Sequence, residues 1–258
     1  MKKWLFFLLL SHAIGTAYLG NPTLTETTDK GFFLSKENGL EIKTGYQREW
    51  VFNRNMQTIS KTSKQTMNHF TLISDQGVLS CTFINHLEIY GSAGTSHIST
   101  AHYSTQNVYN EYASHNQFIW GMGARYLFTT WKDVSLGISL FYEYTHPMIQ
   151  WIKINALPTS FKTKANIIYY EWQIGLGASY RIHLFSPYVM IKYSNAMAHF
   201  RHLPKDLYPH THRFKAINRR HFGLACGLSC STSSPFSINI ETHIIDEYSI
   251  TLTTNMKF

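Results

Sequence analysis

The chain has 258 residues, a formal net charge of +8, 15% aromatic residues and only 15% Asp, Glu, Lys and Arg. A soluble domain of ordinary composition carries about 25% charged residues. A mean hydropathy of −0.19 excludes a bundle of apolar membrane helices, and the length suits one domain.

Taken from the N-terminus, the first expected element is a secretory signal peptide, 1–20. Lys2 and Lys3 give a basic start, Trp4 to Leu10 an apolar run too short to span a membrane, and Ala13, Gly15 and Ala17 the small residues of a cleavage zone. A polar periplasmic lead-in follows over 21–38. Beyond it the dominant signal is two-residue alternation, the period of a β-strand with two different faces. Leu40, Ile42, Tyr46, Trp50 and Phe52 oppose Glu41, Lys43, Gln47 and Glu49. Less clean strands follow near 68–84 and 87–97. Phe118, Trp120, Met122, Ala124, Tyr126 and Phe128 oppose Gly121, Gly123 and Arg125. Val134, Leu136, Ile138, Leu140 and Tyr142 oppose Ser135, Gly137, Ser139 and Glu143. Trp172, Ile174, Leu176, Ala178 and Tyr180 oppose Glu171, Gln173, Gly175, Gly177, Ser179 and Arg181. A weaker strand covers 186–194. Phe222, Leu224, Cys226 and Leu228 then face away from Gly223, Gly227 and Ser229, and Phe236, Ile238, Ile240 and Ile244 from Ser237, Asn239, Glu241 and His243. The chain ends on Tyr248, Ile250, Leu252, Thr254, Met256 and Phe258 against Ser249, Thr251, Thr253, Asn255 and Lys257.

These strands run ten or more residues, longer than the ~5–6 of globular proteins, and their apolar faces end in aromatics. That combination predicts an all-β antiparallel barrel in an outer membrane, with its apolar face toward lipid and its polar face toward the lumen. The spacing gives ten strands, or twelve if 148–156 and part of 54–66 join the sheet. Long connections at 54–66, 98–115, 146–163 and 195–216 alternate with short ones at Asn85–His86, Thr130–Asp133, His183–Pro187 and Ser231–Pro235, the alternation of outer loops and periplasmic turns. The terminal strand ending in Phe258 is the expected signal for the barrel assembly machinery, which is therefore an expected partner.

Three segments resemble the chlamydial major outer membrane protein family. They are YEWQIGLGASYRIHLFSPYVMIKY at 170–193, IWGMGARYLFTTWKDVSLGISLFYEY at 119–144, and the run 217–258, which contains RRHFGLACGL, SINIETHIIDE and a final KF. Weaker echoes are GYQREWVFNR at 45–54 and FINHLEIYGSAGT at 83–95. The resemblance implies a porin of the outer membrane that passes small solutes or ions, forms homo-oligomers and has a structural role. This chain is shorter than that family's members and holds only Cys81, Cys226 and Cys230, so an open pore and a cross-linking role are where it departs from them.

The expected lumen-lining residues are Glu41, Lys43, Glu49, Arg125, Glu143, Glu171, Gln173, Arg181, Lys192, Glu241, His243 and Lys257. They line a narrow selective channel if the lumen is open, or fill it as a plug, since only barrels of about 16 strands leave a generous channel. Cys226 and Cys230 share a strand face roughly 13 Å apart, too far to bond each other. The three cysteines are small apolar wall residues or form disulfides between chains. The densest histidines are His199, His202, His210 and His212; they read as a solvated loop, and no metal or cofactor is expected. Basic residues are scattered apart from Arg213, Lys215, Arg219 and Arg220. In a secreted chain these suit outer-membrane lipid or lipopolysaccharide rather than nucleic acid. The pairs Ser96–His97 and His243–Asp246 lack the partners of a catalytic set, so no enzyme is expected. The alternative to a porin is a non-conducting barrel that acts as a surface adhesin through its outer loops.

Overall fold

The computed structural model describes residues 20–21, 40–59, 64–84, 86–103, 108–159, 164–204, 213–231 and 235–258. The expected signal peptide, the lead-in beyond Asn21, and His210 and His212 lie outside the described residues.

Residues with two-residue alternation form strands because one face of a pleated chain can be apolar while the other is polar. In chain order the strands are β1 (Leu40–Arg54), β2 (Met56–Ile59), β3 (Lys64–Thr66), β4 (His69–Phe83), β5 (Leu87–Tyr103), β6 (Tyr109–Ser114), β7 (Gln117–Trp131), β8 (Val134–Thr145), β9 (Ile149–Ile154), β10 (Leu157–Thr159), β11 (Asn166–Tyr180), β12 (Phe185–Arg201), β13 (Phe214–Asn218), β14 (Phe222–Ser231), β15 (Phe236–Ile244) and β16 (Glu247–Lys257). Ten of them pair in the ring β1–β4–β5–β7–β8–β11–β12–β14–β15–β16. The ring closes where β1 pairs β16, with Lys43 opposite Lys257 and Trp50 opposite Ile250. All of these pairs are antiparallel, and closure leaves no wall edge unpaired, which is what a sheet in lipid requires.

The wall has an inverted distribution of polarity. Met122, Leu140, Leu176, Ile191 and Ile240 are exposed on the outside, while Glu41, Lys43, Gln47, Gln76, Arg125 and Glu143 are buried inside. An exposed apolar band around a closed ring is stable only against hydrocarbon. Aromatic rings edge it. Trp120, Tyr142, Tyr144, Trp172 and Tyr193 interlock near one rim, and Phe83, Tyr126, Phe128, Tyr180, Phe185 and Phe236 lie exposed near the other.

Much of the described part of the long connections is strand. Above the outer rim, six short strands add a second tier to the wall. β5 leaves β7 and pairs β6, β6 pairs β9, and β9 pairs β10. On the far side β12 pairs β13, β13 pairs β2, and β2 pairs β3. The β13–β2 pair passes over the short β15–β16 turn. Ile149–Ile154 within 148–156, and Met56–Ile59 and Lys64–Thr66 within 54–66, therefore do join the sheet, but in the upper tier, and ten strands remain in the membrane wall.

Side-chain polarity reverses between the tiers within single strands. On β12, Val189, Ile191 and Tyr193 face out, whereas Ala196, Ala198 and Phe200 face in and are fully buried. On β4, Leu79 and Phe83 face out, whereas Phe70 and Leu72 are buried inside. The inward apolar residues of the upper tier form one core, which includes Met56, Phe70, Leu72, Ile98, Tyr112, Ile152, Ile167, Tyr169, Phe200 and Ala216. The strand thus changes from a membrane pattern to the pattern of a water-soluble barrel as it crosses the rim.

Candidate functional site: the barrel lumen

Eleven of the twelve expected lumen residues are buried inside the wall: Glu41, Lys43, Glu49, Arg125, Glu143, Glu171, Gln173, Lys192, Glu241, His243 and Lys257. The twelfth, Arg181, is not. It is exposed in the turn after β11, where its backbone N–H donates to the Asp133 carbonyl at 2.8 Å. The strand ends at Tyr180, one residue before the alternation would carry Arg181 inward.

At the periplasmic end, Glu41 forms ion pairs with Lys257 at 2.7 Å and Lys43 at 3.1 Å. Arg125 binds Glu88 at 2.9 Å and lies 4.4 Å over the Tyr90 ring. Tyr188 lies flat on the β14 backbone, since a Cβ on Gly227 would come within 2.2 Å of its ring. Its hydroxyl donates to Glu241 at 2.6 Å and accepts from Asn239 at 3.0 Å. Asn21 also enters here, buried and donating to Ser229 Oγ at 3.2 Å.

Midway up, Gln76 donates to Glu143 at 3.5 Å. Around it Gln47, Ser74, Ser139, Thr251 and Thr253 are buried without a protein hydrogen-bond partner for at least one side-chain atom. Unlike the charged levels below and above it, this waist is lined by uncharged amides and hydroxyls around the carboxyl of Glu143.

Higher still, Arg54 binds both Glu171 and Glu247, and Lys192 binds Glu247 and, at 3.1 Å, Asp246. His243 lies between Glu241 and Glu247, 2.6 Å from each. Ser194 donates to Asp246 at 2.6 Å, and Tyr169 and Gln173 donate to Glu171. β1 and β11 stand on opposite sides of the ten-strand ring, so the Arg54–Glu171 pair spans the lumen. Directly above, the rings of Phe70 on β4 and Tyr169 on β11 stack at 5.6 Å, again from well-separated walls. The upper-tier core then covers the axis.

Arg54, Asp246 and Glu247 are central here yet absent from the expected set. The register of β1 against β16 shifts between Val51 and Asn53. That bulge turns the even-numbered Arg54 inward, although its parity matches the lipid-facing Trp50. Asp246 and Glu247 sit at the tight end of the β15–β16 hairpin, where Ile245 adopts a φ of 86° and folds the turn into the lumen.

The other candidates are placed as follows. Ser96 Oγ faces the lumen, 3.0 Å from Thr145 Oγ1, so the adjacent His97 points to the other face of β5. Asp246 is bound by Ser194 and Lys192 rather than His243. Neither pair is brought together as nucleophile and base. Cys81, Cys226 and Cys230 are free thiols on the outer faces of β4 and β14. His199 stacks on Tyr170 at 6.0 Å on the outer wall, and His202 lies 3.3 Å from the Asn166 amide.

One histidine of the upper tier is a titration probe. His102 is buried, stacks on Tyr112 at 5.6 Å and meets Phe214 at 5.0 Å. Burial alone pushes its imidazole down to about 4. The unfolded chain takes up this proton near pH ~6.5 while the folded chain does not. Stability therefore falls as pH drops from about 6.5 to about 4 and this contribution is constant below, a total of roughly 3 kcal/mol. Unfolding midpoints of wild type and His102→Phe, measured at pH 7 and pH 4, should diverge by that amount; parallel losses in both proteins would contradict it.

Comparison with known proteins bears on residues of this wall. The family model described as Chlamydia major outer membrane protein matches residues 155–202, from β10 through β12. A major outer membrane porin of Chlamydia abortus is 27% identical over 112 residues, 33% of this chain and 29% of the relative. One of Chlamydophila psittaci is 28% identical over 114 residues, 33% of this chain and 28% of the relative. The matches thus span under a third of the relatives' own length. Among solved structures, the outer membrane protease OmpT of Escherichia coli aligns with a TM-score of 0.39 at 11% identity, covering 85% of this chain and 95% of that one. The outer membrane protein OprG of Pseudomonas aeruginosa aligns with a TM-score of 0.39 at 12% identity, covering 85% and 96%. Likenesses at this level say nothing of function.

Proposed function

We propose, on the premise that this outer-membrane β-barrel is related to the chlamydial major outer membrane protein family, that it is a porin-type wall protein whose lumen is closed at rest. The observation that carries this reading is contact across the lumen. Arg54 reaches Glu171 and Phe70 reaches Tyr169 from separate sides of the ring, and the apolar upper-tier core lies on the axis above them. A hydrated ion faces first an ion-pair network and then a dry core, and an apolar constriction alone excludes it by dewetting. Passive diffusion of small ions along the polar waist then requires displacement of the upper tier. In the resting state the barrel serves as a structural element of the outer membrane.

Single-channel recording in planar bilayers tests this. Wild type should show no sustained conductance, and Phe70→Ala/Phe200→Ala, which empties the core, should give discrete ohmic steps. Steady large steps from wild type would refute a closed rest state. A second reading, surface adhesion, is favoured by the upper tier itself, because β6, β9, β10, β13, β2 and β3 present ordered sheet rather than short turns at the outer end. It predicts that the wild type and the emptied variant are both silent.

A further inference from the structure

The basic residues of this barrel fall into two classes. Those inside the wall are neutralised: Arg54, Arg125, Lys192 and Lys257 each pair with a carboxylate. On the outside of β12, β13 and the step into β14 the balance differs. His199 and Lys215 are register partners, so their side chains share the outward face, and Arg201 follows two residues along. Arg219 and Arg220 are exposed where β13 gives way to β14. None of Arg201, Lys215, Arg219 and Arg220 forms an ion pair among the described residues. Burial, and then the charges of Lys215 and Arg201, hold the His199 imidazole below its usual range.

This face begins at the outer aromatic girdle. Tyr193 packs against Trp172 at 5.4 Å, Phe222 at 5.3 Å and His221 at 5.4 Å. His221 Nδ1 lies 3.0 Å from the Ser194 carbonyl and donates to it. Girdle rings mark the depth at which acyl chains give way to headgroups. Arg219 and Arg220 therefore stand at headgroup level. Lys215 pairs with a residue six positions beyond Tyr193, about 20 Å along the strand at ~3.3 Å per residue. Strand tilt reduces this to about 15 Å of height. Charge thus rises from the lipid boundary through a depth matching a sugar headgroup, on a surface continuous with lipid-facing rings.

We propose that this face binds a phosphorylated glycolipid of the outer leaflet. Its acyl chains lie on Trp172, Tyr193 and Phe222. Its phosphates meet Arg219 and Arg220, and anionic groups further out on its sugars meet Lys215 and Arg201. A membrane lipid fits better than a soluble anion because the charges form an open face rather than an enclosed pocket, and a lipid is delivered to that face by the bilayer itself. Lys and Arg attract anionic headgroups at a membrane surface by about fivefold in affinity for each charge.

The test is titration of the full barrel, folded in neutral detergent micelles, with bisphosphorylated lipid A that carries phosphorylated core sugars, bound lipid being counted by native mass spectrometry. Lys215→Gln/Arg219→Gln/Arg220→Gln should raise Kd roughly a hundredfold, with heat-modifiable gel mobility reporting that the variant is folded. Lys132→Gln/Arg181→Gln, which removes charge from the opposite rim, should leave Kd unchanged. Dephosphorylated lipid A should bind wild type as weakly as the triple variant binds the phosphorylated form, and inorganic phosphate should not displace the lipid. A triple variant within threefold of wild type, equal binding of the dephosphorylated lipid, or displacement by inorganic phosphate would each overturn the proposal.

Discussion

Arg54→Met should lower the unfolding free energy of the barrel by about 3–5 kcal/mol. Arg54 is 2% exposed and binds Glu171 and Glu247, themselves 2% and 0% exposed. Glu247 retains Lys192, but Glu171 is left with only neutral donors, Tyr169 and Gln173. An ionised carboxylate without a counter-charge in a desolvated lumen is the costly case; the pair itself contributes little net stability. The asymmetry supplies the control. Arg54→Met/Glu171→Gln removes the stranded carboxylate together with its cation, leaves Glu247 on Lys192, and should recover most of the loss, while the single variant should not. Guanidinium unfolding in lipid vesicles, followed by tryptophan fluorescence, reads both. A single variant within about 1 kcal/mol of wild type would mean that water screens this level of the lumen and that the network does not close it.

The same residue shows where the sequence can be read and where it cannot. Alternation between apolar and polar residues identifies the ten wall strands, because lipid outside and charge inside impose opposite demands on alternate positions. It also assigns Glu41, Lys43 and Glu49 to the interior. Arg54 fails by the same rule: one bulge shifts parity, and a bulge here leaves no mark in residue types. Arg181 fails because alternation does not say where a strand ends. The upper tier escapes the rule for another reason. Its strands carry the reverse polarity, so β4, β5 and β12 look irregular when one pattern is sought along their whole length. Read in two halves they are regular: Leu79 and Phe83 keep one parity and Phe70 and Leu72 the other. The point where parity changes is the rim of the membrane.

That change of phase carries the second large expectation. Phe200→Ala should cost about 3–5 kcal/mol. Phe200 is 0% exposed, and its ring stacks on Phe214 at 4.2 Å and packs on Tyr112 at 5.7 Å. These partners come from β13 and β6, which enter from opposite sides of the upper tier, so the ring is the meeting point of both extensions. Its removal leaves a cavity that rigid strands cannot close, which adds a cavity term to the lost transfer energy. Phe222, 68% exposed on the wall, gives the contrast. Lipid chains fill the space left by Phe222→Ala, no cavity remains, and the loss should be smaller. Location distinguishes the two further. Amide exchange in Phe200→Ala should accelerate in β6, β9 and β13 while β14, β15 and β16 keep their protection, because a weakened subregion opens independently of the rest. If exchange rose equally in the membrane wall, the two tiers would be one cooperative unit, and the upper core could not move as a gate while the barrel stayed folded.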